Sequence, residues 1–158
     1  MTRLYARAMK SSRVNDYTPD VRFEKTSVIS SIRLSGEQAP FMFKGSLNGE
    51  MFSAYVREIL APTLKTGDIV ILDNLSAHKV KGALDPIYKI GATVLFLPPY
   101  SPDYNPIELC WAKMKALLRK LKPRCIEALL MAMKSALDYI TDSDIVGWFR
   151  HCGYRIHV

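Results

Sequence analysis

Asp73 and Glu108 are the two residues of this chain whose types and surroundings best suit shared chemistry. Asp73 closes an apolar run, Ile69-Val70-Ile71-Leu72, and is followed by Asn74-Leu75-Ser76-Ala77-His78-Lys79. Glu108 follows a rigid stretch, Leu97-Pro98-Pro99-Tyr100-Ser101-Pro102-Asp103-Tyr104-Asn105-Pro106-Ile107, and opens a helical pattern; 34 residues separate the two acids. An acid directly after an apolar strand lies at the strand's carboxyl end, the edge where open α/β sheets bind ligands. An acid in the first turn of a helix can project toward the same edge. Two such carboxylates offer hard oxygen ligands for Mg²⁺ or Mn²⁺. A pair of these ions about 3.5–4 Å apart activates a water or a 3′-hydroxyl and stabilises the leaving oxygen of a phosphodiester. Each acid also has an ordinary structural reading: Asp73-Asn74 fits a turn, and Glu108 suits a helix N-terminus through the macrodipole.

The elements that must position these acids follow from periodicity. Thr26 to Leu34 is rich in β-branched residues and reads as a strand. Ser35 to Gln38 reads as a turn, and Pro40 to Lys44 as the second strand of a hairpin. Asn48 suits the cap of a helix in which Met51, Phe52, Tyr55, Val56, Ile59 and Leu60 recur at helical spacing, ended by Pro62 and Gly67. Ile69 to Leu72 and Thr93 to Leu97 read as strands buried on both faces, joined by a short helix or irregular connection from Gly82 to Ile90 in a βαβ unit. Pro106 to Leu121 is an amphipathic helix with Asn105 as its cap, with Ile107, Trp111, Met114, Leu118 and Leu121 facing the core and Pro123 as its stop. Ile126, Leu129, Leu130, Met133, Leu137 and Ile140 mark another helix, and a last one covers Ser143 to His151. With no repeat or flexible linker, the 158 residues read as one α/β domain.

Bulk composition narrows the class. A 49% apolar fraction excludes a disordered chain. A net charge of +7, with a pI of about 9.4, suits a polyanionic partner such as nucleic acid. Cys110, Cys125 and Cys152 are odd in number and lack zinc spacing, so mostly buried, reduced thiols are expected. No apolar stretch approaches the roughly 20 residues needed to span a bilayer, and the N-terminus has no signal-peptide core. From Lys113 to Arg124 the chain carries Lys113, Lys115, Arg119, Lys120, Lys122 and Arg124 and no acid. On a helix, Lys115 and Arg119 fall within about 20° of Glu108, so the acid and two cations share one stripe that could grip phosphates; a solvated face of snorkelling side chains is the alternative. Lys79 is a further phosphate contact in prospect. His78 either orients a phosphate or carboxylate or packs against the Pro98-Pro99 turn, and Trp111 and Trp148 read as core residues.

The Asp73 to Lys79 segment, taken with the proline-rich segment from Leu97 to Glu108, resembles the DDE endonuclease domain of IS630-type transposases, a family related to the Tc1/mariner group. The similarity also runs through Asn48-Gly49-Glu50-Met51-Phe52, the run from Gly67, the helix to Lys120, and Trp148-Phe149-Arg150-His151-Cys152-Gly153-Tyr154. The resemblance implies a ribonuclease-H-like fold, with a mixed sheet flanked by helices. It implies Mg²⁺- or Mn²⁺-dependent cutting and joining of transposon-end DNA. Asp73 would match the family's second catalytic Asp and Glu108 its third acid, both as metal ligands, with Asn74 and His78 as supporting neighbours. In that family the first catalytic Asp stands on the first strand, just upstream of a segment resembling Met1-Thr2-Arg3-Leu4-Tyr5-Ala6-Arg7-Ala8, where this chain starts. Asp16, Asp20 and Glu24 follow it, and none ends an apolar strand.

The resulting expectation is a DDE endonuclease-like domain over residues 1–158, N-terminally truncated, without the first strand and its Asp. It would be inactive alone and would act on DNA in the cytoplasm, at the nucleoid, as a homodimer or with a full-length transposase. Two other readings stay open: a non-catalytic DNA-binding or oligomerising remnant, and a stand-alone ribonuclease-H-like nuclease.

Overall fold

The computed structural model describes residues 9–10, 25–36 and 38–156. The segment Met1 to Ala8 and the early acids Asp16, Asp20 and Glu24 lie outside the described residues. The β-branched run forms β1 (Thr26–Ile29), which pairs antiparallel with β2 (Phe41–Lys44) from Thr26↔Lys44 to Ile29↔Phe41. A bridge between Ile32 and Gln38 continues the hairpin toward its turn.

Asn48 caps α1 (Gly49–Tyr55) as its spacing predicts: its Oδ1 accepts from the Met51 amide at 2.8 Å. The helix does not simply stop at Pro62. It widens into a π turn over Val56–Leu60 and tightens into a 3₁₀ turn over Ala61–Thr63. This change of pitch keeps Phe52, Tyr55, Val56 and Leu60 buried together. After β3 (Ile69–Leu72), a 3₁₀ turn over Ser76–Lys79 leads to α2 (Asp85–Lys89), whose first turn contains Pro86. Pro86 fits in that turn, because a first-turn residue has no intrahelical N–H bond to lose. Next, β4 (Thr93–Phe96) pairs in parallel with β3, completing the expected βαβ unit.

The C-terminal third is helical. α3 (Pro106–Leu121) ends where Lys122 turns left-handed, at φ 47°, just before Pro123. α4 (Ile126–Asp138) is capped by the Cys125 sulfur. α5 (Asp142–His151) starts from a capping box in which Thr141 and Asp144 satisfy each other's backbone amides. None of the described helices is long and apolar enough to cross a membrane.

Two apolar clusters form. One joins Phe52, Tyr55, Val56 and Leu60 to Ala77, Ala83, Ile87 and Ala92, and takes up Ile29, Phe41, Val70, Leu72 and Val94. The other joins Cys110, Met114 and Leu118 to Ala132, Met133, Ala136, Ile140 and Ile145, and takes up Val28, Ile32 and Met42. Alternation along a strand sends successive side chains to opposite faces. The β1–β2 hairpin is therefore sandwiched, with Ile29 and Phe41 on one cluster and Val28 and Met42 on the other.

Several expectations change. The mixed sheet occurs, among the described residues, as two separate two-stranded sheets, β1-β2 and β3-β4. β3 and β4 are not buried on both faces. Val70, Leu72 and Val94 pack inward, but Ile69 is 61% exposed and Leu95 51%, because only one face meets a helical cluster. Leu121 is exposed rather than core, since the α3–α4 contact is made through Leu118, Ala132, Met133 and Ala136; Ile126 and Leu130 of α4 are exposed as well. Cys110 and Cys152 are buried, while Cys125 is exposed, and all three thiols are free. Burial pushes the Cys110 thiol up to about 11.

Candidate active site

The end of β3 delivers Asp73, and the residues after it lock the carboxylate. Its Oδ1 accepts from the Leu75 amide at 3.0 Å, an Asx turn, and lies 2.9 Å from His78 Nδ1, which also reaches the Asp73 backbone carbonyl at 3.4 Å. His78 is held in turn: it is 9% exposed, and its ring lies 4.3 Å from that of Phe52 on α1. The sequence allowed His78 to orient a carboxylate or to pack on the Pro98-Pro99 turn. It meets the Asp73 carboxylate, and the ring it packs on is Phe52. Both contacts fall on Oδ1, so Oδ2 of Asp73 has no partner among the described residues, and the side chain is 50% exposed. Asn74 donates from Nδ2 to the Leu97 carbonyl, and the Leu97 amide donates to the Leu72 carbonyl at 2.8 Å. These bonds tie the end of β3 to the end of β4, where the proline-rich segment begins.

That segment places Glu108. It turns at Tyr100, a fully exposed residue with φ 56°, and makes a 3₁₀ turn over Pro102–Tyr104 before α3 begins at Pro106. The Tyr154 hydroxyl donates to the Tyr104 carbonyl at 2.8 Å, and Tyr154 packs edge-on against Phe149, so the end of the chain braces the entry to α3. Asn105 occupies the cap position, but its side chain makes no capping hydrogen bond. Its backbone engages instead: the amide donates to the Pro102 carbonyl at 2.9 Å, and the carbonyl accepts from the Glu108 amide at 3.0 Å. The Glu108 carboxylate is exposed and has no partner among the described residues.

The structure brings the two acids to one cavity of about 630 Å³. Asp73, Leu75 and His78 line it from the β3 side, and Asn105, Pro106, Ile107, Glu108 and Trp111 from the start of α3. Asn105 was read from the sequence as a cap. It lines this cavity, and its side-chain amide makes no hydrogen bond among the described residues, which helix-start statistics do not indicate. Tyr154 as a brace is also absent from local sequence patterns, since its partner lies 50 residues away.

The cations divide into two groups. Lys113 is half-buried and bonds Asp144 of α5 at 2.5 Å, so its charge joins two helices. Lys115, Arg119 and Lys120 are exposed on α3, and the Arg119 Nε donates to the Lys115 carbonyl at 3.1 Å. Lys122 forms the left-handed end of the helix. Lys79 is exposed and sits 5.8 Å over the Phe96 ring. The Trp111 and Trp148 rings pack on the α3–α5 cluster, and Trp111 also reaches the cavity.

Among the described residues, no group of three or more His, Cys, Asp or Glu side chains could hold a metal ion. Two carboxylates on one cavity are the donor type Mg²⁺ takes, since it uses one or two carboxylates and leaves its other positions to water and substrate phosphates. A family model described as DDE superfamily endonuclease matches residues 1–130, a span that contains the whole cavity lining apart from Phe149. No curated protein matches the chain. With most of its length matched and both acids inside the match, the chain belongs to the DDE superfamily endonuclease family.

Proposed function

We propose that this chain is the catalytic-domain portion of an IS630-type DNA transposase, with Asp73 and Glu108 holding Mg²⁺ or Mn²⁺ for phosphodiester hydrolysis and strand transfer at transposon ends. The carrying observation is that both acids line one cavity, each with carboxylate oxygen uncommitted among the described residues. The bound ion would supply an activated nucleophile and neutralise charge at the leaving oxygen. The chain's own residues do the rest. His78 and the Leu75 amide fix one oxygen of Asp73 and leave the other outward. The Asn105 amide can donate to a phosphate oxygen beside Glu108. Lys115, Arg119 and Lys120, continuing to Lys122, with Lys79 on the β3 side, would neutralise flanking phosphates. Lys113 is spent on Asp144 and serves the scaffold. The proposed arrangement is ribonuclease-H-like, and it works in the cytoplasm with a second copy or a full-length transposase.

A second reading is favoured by one observation, the absence of a third metal-ligating side chain at the site among the described residues. In that reading the chain binds DNA or other transposase chains without cutting. Nicking of supercoiled DNA in Mg²⁺ or Mn²⁺ separates the two. Cleavage that disappears in both Asp73→Ala and Glu108→Ala supports the enzyme. DNA binding without cleavage supports the second reading. Cleavage unaffected by both substitutions overturns the assignment of the site.

A further inference from the structure

A second cavity, of about 300 Å³, shares His78 with the first. The residue that lies 2.9 Å from the Asp73 carboxylate therefore also walls a recess built by the chain that follows it. Lys79 and Gly82 line this recess from the loop, Asp85 and Tyr88 from α2, and Phe96 from the end of β4. Its walls are fixed by their neighbours. Ile87, next to Tyr88, is fully buried and pins α2 to the first apolar cluster. Gly82 turns left-handed at φ 78°, and its carbonyl accepts from the Asp85 amide at 3.2 Å. Phe96 shares a face of β4 with Val94, which packs inward, yet Phe96 is 40% exposed. Tyr88 is 52% exposed. Among the described residues, its ring meets no other ring, and neither its hydroxyl nor the Asp85 carboxylate has a hydrogen-bond partner.

We propose that this recess binds one unpaired nucleobase, of a type that carries an exocyclic amine, from the DNA that passes Asp73; this rests on the reading of the neighbouring site as one that acts on DNA. Open aromatic surface is what an unpaired base stacks on. Tyr88 offers such a ring, and Phe96 offers a second, with the Lys79 ammonium 5.8 Å over it. Charge suits a nucleotide. From Lys79 to Lys89 the chain carries three lysines against one acid, Asp85, so the phosphate attached to the base meets net positive charge. Size suits a single base, because about 300 Å³ lies at the small end of ligand sites and leaves no room for a duplex. Asp85 sets the choice of base. A carboxylate only accepts hydrogen bonds. The amines of cytosine, adenine and guanine donate to it, and cytosine N4 is the common partner of an acidic side chain. Thymine presents its one N–H between two carbonyl oxygens, which repel a carboxylate. Because His78 walls both cavities, a base seated here fixes the adjoining phosphate relative to Asp73. The cost of taking the base out of its stack is least where the strand is already single.

The test uses the full chain in metal-free buffer and fluorescent DNA duplexes, either blunt or with a short single-stranded overhang of cytidines, of thymidines or of abasic residues. By fluorescence anisotropy the cytidine overhang should bind more tightly than the abasic one. Tyr88→Ala should weaken binding to the cytidine overhang by at least about fivefold, the lower bound for one lost stack. Tyr88→Phe, which keeps the ring, should bind like the parent, and blunt duplex should bind all three proteins alike. The parent should prefer cytidine to thymidine by about fivefold, and Asp85→Asn should erase that preference. Amide signals of Gly82 and Asp85 should shift with the cytidine overhang and not with blunt duplex. Insensitivity of the overhang to Tyr88→Ala, an equal loss on blunt duplex, or no preference over thymidine in the parent overturns the proposal. The two readings fail separately. Mg²⁺-dependent nicking that is lost in Asp73→Ala, without any overhang preference, removes the recess and leaves the enzyme. Overhang preference without nicking keeps the recess and removes the enzyme, and a chain that binds no DNA overturns both.

Discussion

His78→Phe separates the packing of this residue from its bond to Asp73. Phenylalanine keeps an aromatic ring against Phe52 but has no donor for the carboxylate. The lost bond is a 2.9 Å contact to a carboxylate oxygen. Fully buried, such a bond would contribute about 1.5–3 kcal/mol. The Asp73 side chain is 50% exposed, so water replaces much of the interaction, and the net loss of folding stability should be about 1 kcal/mol. The effect on metal binding should be larger in relative terms. With Oδ1 held only by the Leu75 amide, the carboxylate can rotate, and loss of an orienting neighbour of this kind typically costs 10–100-fold in metal affinity. That corresponds to about 1.4–2.7 kcal/mol. Urea denaturation measures the first quantity and titration with Mn²⁺, followed by electron paramagnetic resonance, the second. A variant that stays folded and binds Mn²⁺ as tightly as the parent would refute the orienting role of His78.

Asp144 provides a pH test. The Lys113 ammonium, with help from the Thr141 amide, holds its carboxyl down from 3.8 to about 2. A pKa depressed by folding gives stability that is present above about pH 4 and is lost as pH falls through about 2. Stability should therefore fall more steeply between those values in the parent than in Asp144→Asn, and parallel curves by thermal melting would contradict the assignment. Gly49→Ala should destabilise by about 1–3 kcal/mol, measured in urea, because a Cβ there overlaps the Val80 side chain; a stabilised variant would show that α1 and the loop after His78 do not meet this closely. Lys115→Glu with Arg119→Glu should weaken DNA binding and lower its salt dependence by about two phosphate contacts. Unchanged affinity in a fluorescence-anisotropy salt series would remove the α3 stripe from the DNA path.

Local patterns exposed most elements and the two acids, because each leaves a signal within a few residues. Asn48 followed by an apolar helical face is a cap, and its amide bond forms as read. The apolar run before Asp73 puts that acid at a strand end, and Pro106 puts Glu108 in a first turn. What was not legible depends on partners distant in sequence. An apolar strand looks the same whether one or two of its faces find cover, so the exposure of Ile69 and Leu95 could not be read. Lys113 looks like any other cation of the basic run until α5 presents Asp144, 31 residues later. Asn105 has the sequence of a cap, but whether its amide turns back to the helix or toward a cavity is decided by what lies across from it.

The central claim is that Asp73 and Glu108 act on one ion, and paramagnetic broadening tests it most directly. On addition of Mn²⁺ to the isotope-labelled chain, amide signals near residues 73–75 and those near 107–109 should disappear together at the same low ion concentration, and both effects should be lost in either Asp73→Asn or Glu108→Gln. Broadening at only one of the two segments, or at both in the single variants, would contradict it.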